Sequence, residues 1–275
     1  MSDLALERVL LRDRWIVGGC LALLVALACL WLWRDYVAMA RWDESMAAMG
    51  MKDMEMEGGL MATSSAPAAY LVQAFVMWLI MMVAMMLPSA APMILLYGKL
   101  ARGGRQRGGV FASTTVFAGF YLAVWGGFSA LAALVQWALV RSGAISDMGL
   151  AFGDKRIGGV LLMSAGLYQL TPLKTACLEK CRSPLSFLMR LWRPGLLGAA
   201  RLGLTHGLYC LGCCAMLMAL LFVFGVMNLA WVACLAVVVL IEKITPGGQR
   251  IGGLAGVALL AVGVAMVLGV LTVAL

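Results

Sequence analysis

Residues 196–224 read LLGAARLGLTHGLYCLGCCAMLMALLFVF, an apolar run in which Arg201 is the lone charge. The run is long and greasy enough to cross a bilayer, whose hydrocarbon core takes about 20 apolar residues as helix. Within it, Thr205–Cys214 holds the chain's one histidine and three of its eight cysteines. On a helix turning about 100° per residue, His206, Cys210 and Cys213 fall within an arc of roughly 60°, with Cys214 just beyond its edge. Imidazole and thiols gathered on one face of a membrane-grade segment point to a soft-metal site.

The whole chain shares this character. Of its 275 residues 64% are hydrophobic and 12% charged, and mean hydropathy is +0.98. A soluble domain of that length has too little polar surface to cover so much apolar side chain, so the expected class is an all-α polytopic transmembrane bundle. The net charge of +8 fits cytoplasmic loops rather than nucleic acid. No phosphate-binding glycine loop and no interleaving of aromatic and basic residues accompanies it, so nucleic acid is excluded as a partner.

Apolar runs place about seven spans: Trp15–Trp33, Tyr70–Tyr97, Val110–Val140, Ile157–Leu173, Leu196–Phe224, Met227–Ile241 and Ile251–Leu275. With the N-terminus inside and the C-terminus outside, 15 of the 21 basic residues fall on the inner side, the bias expected of a multi-pass inner-membrane protein. Residues 1–275 read as one integral domain with a methionine-rich external loop at 34–69. There Met46, Met49, Met51, Met54 and Met56 alternate with acidic residues, a pattern that suits weak capture of Cu(I) by thioethers. Met77, Met81 and Met85 repeat at i, i+4, i+8 in the second span, beside a second row of Met82 and Met86. They read as ordinary packing or, with the loop, as a path for the metal. Pro88 and Pro92 are expected to break this helix toward its inner end.

A second cysteine group, Cys177 and Cys181, lies at i, i+4 on a short helix after Pro172. In this topology both groups share the inner side of the membrane, and about twenty residues between them allow the segments to converge. The expected metal ligands are Cys177, Cys181, His206, Cys210, Cys213 and Cys214. Sulfur and nitrogen donors suit Cu(I) best, with Zn(II) the alternative. Glu179 and Glu242 are weaker candidates, the latter free to pair with Lys243 or a loop cation. The cysteines are expected as reduced thiols.

The segments GLYQLTPLKTACLEKCRSP (166–184), HGLYCLGCCAMLM (206–218), GVMNLAW (225–231) and IEK (241–243), with AMMLPSAAPM (84–93), resemble an uncharacterised bacterial family of integral membrane proteins described as predicted metal-binding. The resemblance covers roughly residues 70–250 and implies a bacterial inner-membrane protein with its metal site at the cysteine segments. It brings no activity, and copper is inferred from donor chemistry alone. The leading expectation is Cu(I) uptake, transfer or storage, with a metallochaperone or membrane complex as possible partner and no catalytic residues assigned. The alternatives are a membrane thiol–disulfide oxidoreductase using Cys210 and Cys213 with Cys177 and Cys181, and an accessory subunit of a membrane complex.

Overall fold

A computed structural model describes residues 18–34, 36–38, 41, 45, 67–103, 110–145, 154–226 and 228–270, and its elements are helices. The first, α1, is Gly18–Ala38. It is followed by α2 (Pro67–Gly103), α3 (Val110–Arg141), α4 (Lys155–Gln169), α5 (Pro172–Arg182) and α6 (Pro184–Leu191). Then come α7 (Gly195–Ala219), α8 (Leu221–Phe224), α9 (Leu229–Ile244) and α10 (Gly248–Val267). Met46, Met49, Met51, Met54 and Met56 lie outside the described residues.

Among the described residues, five segments are long and apolar enough to cross a membrane: Gly18–Ala38, Pro67–Ala101, Ala112–Arg141, Gly195–Phe224 and Gly248–Val267. The other two expected spans are helices of 15 residues (α4) and 16 residues (α9). At 1.5 Å per residue they reach only about 22 and 24 Å, less than a hydrocarbon core of about 30 Å. Five membrane-length helices and two shorter ones therefore stand where seven full spans were expected.

The expected break in the second span does not occur. α2 runs unbroken through Pro88 and Pro92. Each proline still removes one N–H from the helical ladder. In the same turns the Ser89 hydroxyl donates to Met86 O at 2.9 Å, and Tyr121 from α3 donates to that carbonyl at 3.3 Å. α2 thus stays continuous through both prolines, and Met86 O takes side-chain donors from its own turn and from α3.

α3 lies between α2 and α7, α5 folds onto α7, and α4 packs along α10. The close approaches depend on glycine. A Cβ on Gly203 of α7 would come within 2.2 Å of Phe117 O in α3. On the α4–α10 seam, a Cβ at Gly166 would lie 2.7 Å from Gly256 O, and one at Gly263 2.7 Å from Gly159 O. Small residues that let backbones touch are the usual means of helix association where lipid replaces water.

α4 ends at Gln169, and Thr171 caps α5 with its side chain accepting from Lys174 N, with Pro172 in the first turn. This corner turns the chain back and delivers Cys177 and Cys181 to α7. Arg182 at the far end of α5 donates to the carbonyls of Thr245 (2.5 Å) and Pro246 (2.6 Å), tying that helix to the α9–α10 turn.

Candidate metal centre

Both cysteine groups arrive at one place. The Cys181 thiol on α5 lies close enough to Cys213 on α7 for each to influence the other's ionisation, and Cys213 meets Cys210 and Cys214 as well. Cys210, Cys213 and Cys214 are buried. Cys177 lies against the same stretch from the α5 side. A Cβ on Gly212 would stand 2.9 Å from Cys177 Sγ, so glycine is what lets that sulfur approach the α7 backbone. Tyr168 closes this edge by donating to Gly212 O. Cys20, Cys29 and Cys234 are exposed free thiols and take no part.

The local geometry follows from the helix. Cys213 and Cys214 sit three and four residues beyond Cys210, and their thiols both turn back to Cys210 O, at 3.1 and 2.8 Å. With the sulfurs held in this way, among the described residues no three His, Cys, Asp or Glu side chains are set to hold a metal ion.

Three groups complete the surroundings. Met86 of α2 brings its Sδ to 3.8 Å from Cys214 Sγ. Tyr121 of α3 places its hydroxyl 3.2 Å from Cys210 Sγ. Lys243 of α9 donates to Cys210 Sγ at 3.0 Å and to Ser89 Oγ at 3.0 Å. Among the described residues no carboxylate pairs with Lys243, although only 9% of it is exposed. Sulfur from three helices and one ammonium therefore share a buried space.

Outside the long spans, the α5 thiols are held in the neutral form. Burial, then the nearby Cys213, pushes the Cys177 thiol up from its ordinary range. Cys181 is pushed well up, first by its hydrogen bond with Cys213 and then by burial.

His206 stands one turn before Cys210 but in a different setting. Its ring stacks on Tyr121 at 5.4 Å and on Phe117 at 6.2 Å, and meets Phe187 edge-on at 5.8 Å. Its buried Nδ1 has no hydrogen-bond partner among the described residues. Tyr121 joins the two settings, with its ring against His206 and its hydroxyl against Cys210.

Glu242 takes the loop-cation option. Its Oε2 lies 2.6 Å from Lys174 Nζ and its Oε1 accepts from Gln169 at 3.0 Å, while Lys174 also bonds Gln169. Glu179 accepts from Gln249 at 3.2 Å. Neither carboxylate has a contact with the sulfurs among these bonds.

Sequence reasoning missed Lys243, Tyr121 and Met86. Lys243 carried a signal, because an ionisable residue ending an apolar helix is a functional candidate by default. Tyr121 carried none, since its hydroxyl is aimed by the packing of α3 on α7. Met77, Met81 and Met85 are buried in the core, and it is Met86 of the second row whose sulfur meets a cysteine.

The arrangement defines a helical protein with membrane-length segments wrapped around a buried sulfur cluster. The chain belongs to the PpoB2 copper chaperone family, whose model matches residues 75–266. The match takes in both cysteine groups, Met86, Tyr121 and Lys243, and leaves out α1 and the methionine-rich loop. No curated protein and no solved structure matches the chain.

Proposed function

We propose that the chain is an integral membrane protein that takes up Cu(I) as cargo in the pocket of Cys181, Cys210, Cys213 and Cys214 and passes it to a partner. The observation that carries this reading is the meeting of Cys181 with Cys213, which joins two cysteine segments distant in sequence into one sulfur-rich space. Thiol and thioether donors select Cu(I) over harder ions. Charge argues in the same direction. Two thiolates around Cu(I) leave one net negative charge, and Lys243 beside Cys210 supplies one positive charge. Zn(II) with two thiolates is already neutral and would leave the buried ammonium uncompensated.

Cys177 and His206 extend the ligand set as places to which the metal moves on its way out. The loop methionines (Met46, Met49, Met51, Met54, Met56) collect it on the outer side, and the row Met77, Met81, Met85 leads inward to Met86. In this reading the protein has seven crossings, with α4 and α9 seated in a locally thinned or shielded part of the bundle, the N-terminus inside and the cysteines toward the cytoplasm of a bacterial cell. A soluble or membrane-bound metallochaperone is the natural receiver.

The thiol-oxidoreductase alternative has less support. Reactive cysteines of that kind draw on a helix N-terminus, a nearby cation or a CxxC spacing; Lys243 and Cys213 supply the last two, the first is missing, and the family match is to a copper chaperone. Cys210 lies four turns into α7, far from Gly195.

The test is metal content. Purified from copper-supplemented cells under reducing conditions, the wild type is expected to carry about one copper per chain, and Cys181→Ser/Cys213→Ser almost none. Met86→Leu should keep the fold and lose copper faster to a competing chelator. Copper absent from the wild type, or equal in the double variant, overturns the proposal.

A further inference from the structure

A second cleft lies toward the N-terminal end of α7. Arg190, Leu191, Trp192, Arg193, Arg201, Leu202 and Thr205 line a cavity of about 120 Å³ at the junction of α6 and α7. Three arginines line it, from α6, from the turn that follows and from α7, and among the described residues none is paired with a carboxylate. Unpaired arginines at one cavity repel one another unless an anion joins them.

The cleft is built, not loose. Trp192 is anchored by its ring on Tyr97 at 5.4 Å, and Tyr97 is stacked in turn on Phe117 at 4.8 Å. The turn after it folds so closely onto α7 that a Cβ on Gly198 would lie 2.0 Å from Arg193 O, and Gly195 takes a φ of +86° that favours glycine. Arg190 and Arg193 thus flank a fixed tryptophan, while Arg201 reaches in from the second turn of α7. Thr205 donates to Arg201 O at 2.7 Å, so its oxygen keeps lone pairs but its proton is spent.

The rim is apolar. Leu185, Met189 and Leu191 of α6 and Leu196, Leu197 and Leu204 of α7 are exposed large hydrophobics, with Leu197 87% exposed. A free phosphate would gain nothing from such a rim, whereas a lipid gains from both parts. Its phosphate meets the arginines and its acyl chains lie along the leucines.

We propose that the Arg190/Arg193/Arg201 cleft binds the phosphate of an anionic phospholipid and thereby fixes α6 against α7. Arginine matches phosphate with paired N–H donors, and basic pockets at the cytoplasmic side of helical membrane proteins hold such headgroups. The proposal rests on the membrane placement above but not on copper. α6 carries Phe187, whose ring abuts His206, so lipid in the cleft would steady the approach to the metal pocket.

The test is native mass spectrometry of the full chain in detergent with phosphatidylglycerol added, beside phosphatidylcholine and inorganic phosphate. The wild type is expected to retain phosphatidylglycerol in preference to phosphatidylcholine, with inorganic phosphate failing to displace it. Arg190→Gln/Arg193→Gln/Arg201→Gln should weaken retention on the order of a hundredfold. A charge-matched control, Arg141→Gln/Lys155→Gln/Arg156→Gln, should not. Equal retention by the cleft variant, equal loss in the control, or displacement by phosphate each overturns the lipid assignment. Copper content measured on the same samples reports separately on the metal reading.

Discussion

Glu242 and Lys243 are neighbours in sequence, both buried at the end of α9, and they face two different kinds of site. Glu242 enters a closed network in which Lys174 supplies the counter-charge and Gln169 bonds both ions. Gly252 of α10 covers it so tightly that a Cβ there would stand 3.0 Å from Glu242 Oε1. Lys243 instead meets a serine hydroxyl and a thiol, and among the described residues no carboxylate balances it. The first site is complete as it stands and holds α4, α5 and α9 together. The second has charge and sulfur to spare, which is what a cargo site needs before the cargo arrives.

The largest effect should come from breaking the closed network. Glu242→Gln leaves Lys174 buried without its counter-charge, which costs about 3–5 kcal/mol. Thermal unfolding in detergent should show it, and Lys174→Met/Glu242→Gln should recover most of the loss because the two amides at 169 and 242 can still pair. A Glu242 variant as stable as the wild type would mean the network does not hold the helices.

Lys243→Met should do the opposite. Stability should change by less than about 1 kcal/mol, since an uncompensated buried ammonium is removed and methionine fills similar space. Cu(I) affinity, measured against a chelator, should fall about tenfold, equivalent to 1.4 kcal/mol. If stability collapses while copper affinity holds, the two neighbours do not differ in the way described.

The smallest effect concerns the α5 thiols. Because Cys177 and Cys181 are pushed up, less thiolate is present at neutral pH than in a free cysteine, and alkylation should be correspondingly slow. Its rate should climb about tenfold per pH unit below the raised pKa, and bound Cu(I) should block it. For the same reason Cu(I) should bind more tightly as pH rises, because fewer protons compete for the sulfurs. Rates like that of a free thiol at pH 7 would place these cysteines outside the cluster.

Much of the scaffold was legible in the sequence, because long apolar runs carry their own length signal. The short α5 was also readable, since Thr171 and Pro172 mark its start and Cys177 and Cys181 share its face. The extents of α4 and α9 were nearly readable too, since the expected 157–173 and 227–241 lie within a few residues of the helices; the difference is that such lengths fall short of a full crossing. Asp154 and Asn228 cap their starts, and Thr171-Pro172 and the Thr245-Pro246-Gly247 turn mark where they stop. Pro88 and Pro92 do not end α2, because each removes a single N–H while the apolar run carries the helix on for eleven residues beyond Pro92, a length the proline signal alone does not convey. Which of two adjacent ionisable residues faces the sulfurs depends on α9's rotation against α2 and α10. Nothing in a string of letters fixes that angle.

The glycine seam of α4 and α10 reaches further than its own interface. A methyl group at Gly256 would stand 2.7 Å from Gln169 Cβ as well as 3.0 Å from Gly166 O. Such a change would tilt the base from which Gln169 reaches Glu242. Injury to a bare backbone contact would then surface as water entering an ionic lock one turn away.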